Sequence, residues 1–160
     1  MDNSSDALRS KFILDREITF LNHGSYGSCP KPVFEAYQKY QTDLEIHPIK
    51  FMQEDVYRLL EISRESLSHY INCDKDDLIF VSNPTQAVGN VIHNISVNIN
   101  DEILSTNLEY GACDRMWTYD SEQKGYKYIQ AEITLPIEDK EIFLNEFWSF
   151  ANDQTKYVFI

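Results

Sequence analysis

From residue 76 onward the chain alternates short apolar runs with helical segments, and this alternation limits what it can fold into more than any composition figure does. It begins at LIFVSNPTQAVGNVIH, residues 78–93. An apolar run of strand length covers 78–81, a turn passes through Ser82-Asn83-Pro84-Thr85, and Val88, Val91, Ile92 and Ile95 follow at helical spacing. The pattern predicts a helix over 85–96, a strand over 102–105, a helix over 111–123, a strand over 126–131, a helix over 138–151 and a strand over 156–160. Strands separated by helices join through right-handed crossovers into a mostly parallel sheet covered on both faces. The expected fold class is therefore α/β, a partial three-layer α/β/α arrangement preceded by N-terminal helices. Residues 1–19 are expected to be a lead-in, flexible over 1–10. Residues 20–75 are expected to form an N-terminal loop and helices, and 76–160 an incomplete α/β domain.

In such sheets ligands gather at the carboxyl ends of the strands. Two loops fall there, 82–85 and Asn107-Leu108-Glu109-Tyr110. At the start of the 85–96 helix the N–H groups of Thr85, Gln86 and Ala87 are expected to lack helical partners, which makes an anion cradle with the Thr85 hydroxyl as an extra donor. From this stretch alone the favoured reading of the same residues is an ordinary helix cap. Neither GxGxxG nor GxxxxGK[ST] is present, so a dinucleotide or nucleoside-triphosphate cradle is not expected. Tyr110 is placed to stack on a flat cofactor or simply to close the sheet. Glu109 either orients a neighbour or is solvated. The loop Asn22-His23-Gly24-Ser25-Tyr26-Gly27-Ser28-Cys29-Pro30 has two glycines and small polar residues, which suit a close approach to a ligand.

Elsewhere the chemistry is sparse. Helices are predicted over 32–46, ending near His47-Pro48, and over 54–71, with Val56, Leu59, Leu60, Leu67, Tyr70 and Ile71 on one stripe. His23, His47, His69 and His93 show no partner at catalytic or metal spacing. Cys113 lies one turn into a helix, where a thiol pKa can fall, but no basic partner is evident and no catalytic role follows. Cys29, Cys73 and Cys113 are an odd, widely spaced set that suits free thiols in a reducing compartment. Trp117, Phe143, Phe147 and Phe150 read as core. With 42% hydrophobic residues the 160-residue chain can bury one core, and its net charge of -12 argues against a nucleic-acid or membrane-surface partner. The polar first residues hold no apolar leader, so the default compartment is the cytoplasm. The run Lys156-Tyr157-Val158-Phe159-Ile160 reads as the start of a buried strand, so a fragment or shortened reading frame is expected.

Four motifs in order, Phe20-Leu21-Asn22-His23-Gly24-Ser25-Tyr26-Gly27, His47-Pro48-Ile49-Lys50-Phe51, Phe80-Val81-Ser82-Asn83-Pro84-Thr85-Gln86-Ala87-Val88 and Leu108-Glu109-Tyr110-Gly111-Ala112, resemble the N-terminal part of class V aminotransferase-fold enzymes. The isopenicillin N epimerase-like branch is the nearest likeness, and cysteine desulfurases are more distant. The resemblance implies fold type I pyridoxal 5'-phosphate chemistry at the α-carbon of an amino-acid-type substrate, in a homodimer. It assigns Pro84, Thr85 and Gln86 to the cofactor phosphate, Tyr110 to the pyridine ring, and Asn22, His23 and Gly24 to the substrate loop. The family's cofactor-bonded lysine and the acidic partner of the ring nitrogen are expected after residue 160, so no catalytic residue is assigned, and this stretch alone is expected to be inactive with at most weak cofactor binding. The rival expectations are a non-catalytic truncated interaction module or a decayed gene product, and an unrelated α/β phosphate-binding enzyme.

Overall fold

The computed structural model describes residues 3–160 and divides them into two units, one running to Ile79 and the other from Phe80 to Ile160. In the first unit, α1 (Asn3–Arg9) is followed by a loop, α2 (Lys31–Ile46), a single turn α3 (Pro48–Lys50), a π-helical turn (Phe51–Asp55), α4 (Val56–Ile71) and a 3₁₀ turn (Lys75–Asp77). The expected lead-in is therefore helical over 3–9, and its first two residues lie outside the described ones. Arg9 explains why the chain is ordered just after this helix: its Nη2 donates to the carbonyl oxygens of Asp15, Arg16 and Ile18 at 3.2, 2.7 and 3.0 Å. Proline ends α2 as expected, but Pro48 then occupies the first position of a new helical turn, where its missing N–H costs nothing. α4 closes on Asn72, whose left-handed φ of 58° ends the helix. The apolar stripe of α4 stays largely uncovered within this unit, with Leu60, Leu67, Tyr70 and Ile71 all exposed.

The second unit holds the sheet. α5 (Pro84–Asn94) leads to β1 (Glu102–Thr106), α6 (Gly111–Lys124), β2 (Lys127–Ala131), α7 (Lys140–Ser149) and β3 (Thr155–Val158). The strand order is β2-β1-β3 and both pairings are parallel, with a register irregularity at Glu102/Ile103 against β3. Side chains alternate across β1. Ile103 joins Ile92, Trp117 and Tyr126 in a cluster under α5 and α6, whereas Leu104 joins Ala131, Ile133 and Phe147 under α7. These two clusters are the outer interfaces of a three-layer α/β/α unit with an all-parallel sheet, the fold class read from the sequence.

Three expectations change in detail. Residues 78–81 form no strand, because no described strand lies beside them to take their hydrogen bonds, and Ile79 is 78% exposed. β3 is half buried rather than buried, since it occupies a sheet edge and alternates along its length. Of the four aromatic residues read as core, Trp117 and Phe147 are buried and Phe143 packs on the second cluster, but Phe150 is exposed just beyond the end of α7.

Candidate functional site

At the start of α5 the segment Ser82-Asn83-Pro84-Thr85-Gln86 closes on itself. Asn83 is extended at the cap position, and its Oδ1 accepts the Gln86 N–H at 2.8 Å. Gln86 Oε1 reaches back to accept the Ser82 N–H at 3.1 Å, a reciprocal cap in which asparagine and glutamine each satisfy a backbone donor. The Ala87 N–H donates to the Asn83 carbonyl at 3.2 Å. The expected row of three free amides is thus corrected. Gln86 and Ala87 are engaged because asparagine is a strong capping residue, and among the described residues the Thr85 N–H has no acceptor. What remains for an anion is the Thr85 N–H and hydroxyl, the Gln86 side-chain NH2 and the positive end of an 11-residue helix.

The start of α6 supplies a second positive end. Tyr110 is its cap residue and makes no side-chain cap. The Glu109 carboxylate instead accepts the Tyr110 N–H at 2.5 Å, so Glu109 orients this loop rather than being merely solvated. The loop is anchored at its base by Asn107. Its backbone N–H donates to the Ala131 carbonyl at 3.0 Å and its Oδ1 accepts the Ile133 N–H at 3.0 Å, tying the carboxyl ends of β1 and β2 together. Tyr110 stands 67% exposed above this base.

Contacts between the two helices put both starts at one end. An ideal Cβ on Gly89 would lie 3.5 Å from Met116 Sδ, Lys124 Nζ donates to the Ile92 carbonyl at 3.2 Å, and His93 Nδ1 is 4.0 Å from Asp120 Oδ1. The middle of α5 faces the middle of α6, and late residues face late, so the helices run side by side in the same direction. Since α6 begins where β1 ends, Thr85 and Tyr110 share the carboxyl end of the sheet, the place where open α/β sheets bind ligands. The sequence reading put the donors on α5 alone. The uncapped start of α6 was missed because it depends on the direction of two helices, which no local motif records.

Cys113, one turn into α6, is buried, and its thiol is pushed up from the usual range first by burial and then by the Glu109 carboxylate, so the thiolate is disfavoured. All three cysteines are free. In the other unit, Asn22 shapes its loop: its Oδ1 accepts the Ser25 N–H at 3.2 Å and its carbonyl accepts the Tyr26 N–H at 3.1 Å. The His23 ring meets Phe20 edge-on at 4.8 Å and Phe12 at 5.6 Å between centroids, while the residue stays exposed. Gly24 is in open space. At Gly27 an added Cβ would stand 3.0 Å from the His23 carbonyl oxygen, a tight approach to a backbone atom.

The donor set at Thr85 fits the phosphate of pyridoxal 5'-phosphate: an amide without an acceptor, a hydroxyl and a helix dipole, with no carboxylate among the hydrogen-bonding groups of 82–87.

Comparison with known proteins identifies the family. The chain is 30% identical over 131 residues to an L-cysteine desulfhydrase-like protein of Epichloe uncinata, covering 82% of this chain and 29% of that protein. It is 32% identical over 109 residues to the isopenicillin N epimerase of Streptomyces clavuligerus, covering 68% of this chain and 27% of that protein. It thus spans less than a third of the length of the curated relatives it matches. Among solved structures, C-DES with glycine covalently linked to its PLP cofactor superposes with a TM-score of 0.78 at 21% identity, over 94% of this chain and 39% of that one. The apo cysteine desulfurase of Thermococcus onnurineus superposes with a TM-score of 0.73 at 18% identity, over 96% and 38%. The sequence pattern named Aminotransferase class-V matches residues 20–160, and the chain belongs to the class-V aminotransferase family.

Proposed function

We propose that this chain forms the phosphate-holding part of a pyridoxal 5'-phosphate enzyme that acts at the α-carbon of an amino-acid-type substrate. The observation that carries the proposal is the shared position of Thr85 and Tyr110 where two parallel helices begin. When bound, the cofactor supplies an electron-withdrawing ring that stabilises negative charge on the substrate carbon. The Thr85 N–H and hydroxyl donate to the phosphate, and Pro84 presets the backbone that aims them. Gln86 adds its side-chain NH2 while its oxygen stays committed to the Ser82 amide. The exposed Tyr110 ring covers one face of the cofactor and excludes water from it. Asn22, His23 and Gly24 are assigned to the substrate side on the family resemblance.

Within this reading, the relatives include both an epimerase and cysteine desulfhydrase-like proteins. We favour epimerase-like chemistry, with cysteine C–S cleavage as the second possibility, and a homodimer as the working assembly. A non-catalytic interaction module is the rival, and the uncovered apolar side chains of Ile79 and Phe80 are what speak for it. Equilibrium dialysis separates these readings. Pyridoxal 5'-phosphate is expected to bind more tightly than phosphate-free pyridoxal. Thr85→Val is expected to weaken it about tenfold or more, since a charge-assisted hydrogen bond contributes about 1.5–3 kcal/mol. Equal affinity for both compounds, or no effect of Thr85→Val, would reject the cofactor reading.

A further inference from the structure

The first unit contains a cleft of about 570 Å³ that takes no part in the proposed cofactor site. Arg9, Arg16 and Lys31 line it with Asp6, and Phe12 and Leu14 add apolar wall. Three cations against one carboxylate is an unusual local balance in a chain of net charge -12. Elsewhere Lys39, Lys50, Lys75, Lys124, Lys127, Lys156 and Arg58 each have a carboxylate oxygen within 4.0 Å. Among the described residues Arg9, Arg16 and Lys31 have none, which is also true of Lys11, Arg64, Arg115 and Lys140, but only at this cleft do three such cations line one cavity.

The cleft is also framed. Arg9 is fixed by its three backbone carbonyls, which leaves the rest of its guanidinium fork available. The opposite wall is tied by the Lys31 N–H, which donates to the Lys11 carbonyl at 2.7 Å, and by the pairing of Phe12 with Pro30. A pre-set guanidinium flanked by two further cations matches the oxygens of a phosphate or carboxylate group. We propose that this cleft binds a small polyanion through its phosphate or carboxylate oxygens, separately from the cofactor phosphate at Thr85.

Calorimetric titration of the chain at low salt, with pyrophosphate in one arm and citrate in the other, tests the proposal. At least one anion is expected to bind saturably, and the arm that binds identifies the chemistry. Replacing Arg16→Gln together with Lys31→Gln is expected to weaken binding at least tenfold, and Asp6→Asn to strengthen it. Neither the Arg16 nor the Lys31 side chain makes a hydrogen bond within the described residues, so the double variant keeps the loop frame, and an unchanged circular dichroism spectrum confirms that it folds. Absence of saturable binding by both anions, or binding of undiminished affinity in the double variant, would overturn the proposal.

Discussion

Glu102 is a charged residue at the amino end of β1, yet only 4% of it is exposed. Its Oε1 accepts from Lys127 Nζ at 2.8 Å and its Oε2 from Asn152 Nδ2 at 2.7 Å, so one carboxylate joins β1 to β2 and to the loop before β3. These two donors hold its carboxyl below the ordinary 4.5. A depressed folded-state value means that the unfolded chain binds more protons in acid, so this contribution is complete above 4.5 and is lost as pH falls through the folded value. Urea unfolding over a pH series should show Glu102→Gln destabilised by about 1 kcal/mol at neutral pH, with a shallower loss of stability below pH 4.5 than the parent. Ser105 presents the opposite case. It is fully buried on the α5/α6 face, and among the described residues neither its hydroxyl nor the Tyr128 hydroxyl on the same face meets hydrogen-bond geometry. Ser105→Ala removes an unsatisfied polar group, so the urea midpoint should stay constant or rise; a loss above about 1 kcal/mol would show that the hydroxyl does have a partner in solution.

The elements were legible where periodicity and turn chemistry agree. Gly125 ends α6 at φ +80°, as a glycine after the last helical residue should. An added Cβ would also meet Ile99 Cγ1 at 2.9 Å. Gly125→Ala should therefore lower stability by about 1–2 kcal/mol through left-handed strain alone, and more if Ile99 cannot move aside, measurable as a lower thermal midpoint with unchanged secondary structure. The apolar run 78–81 was legible as sequence and failed as an element, since a strand exists only when a neighbour accepts its hydrogen bonds. Asn83 shows a related limit. Its presence announced a helix start, but whether its side chain leaves amides free for a ligand or takes them itself depends on a rotamer, and it takes the amide of Gln86.

Both buried hydrophobic clusters belong to the second unit, whereas Ser68 is the buried residue of α4 and α2 has none. Local stability follows burial. Hydrogen exchange should accordingly find the slowest amides in β1 and its two partner strands, and faster exchange in α2 and α4. Equal protection of α2 and α4 would mean that their apolar faces are covered in solution, as the proposed homodimer would do, and a sedimentation measurement at two concentrations would then detect the association.

By itself the sequence determined the alternation of strands and helices, the turn chemistry that punctuates them and the motifs that resemble class V aminotransferases, because each is written in neighbouring residues. Tertiary structure decided the rest. It set β1 between β2 and β3, brought the starts of α5 and α6 to one end, engaged two of three expected amides and left 78–81 without a strand partner. All of these depend on which distant groups meet, and hydrogen bonds and burial are satisfied between elements as well as within them.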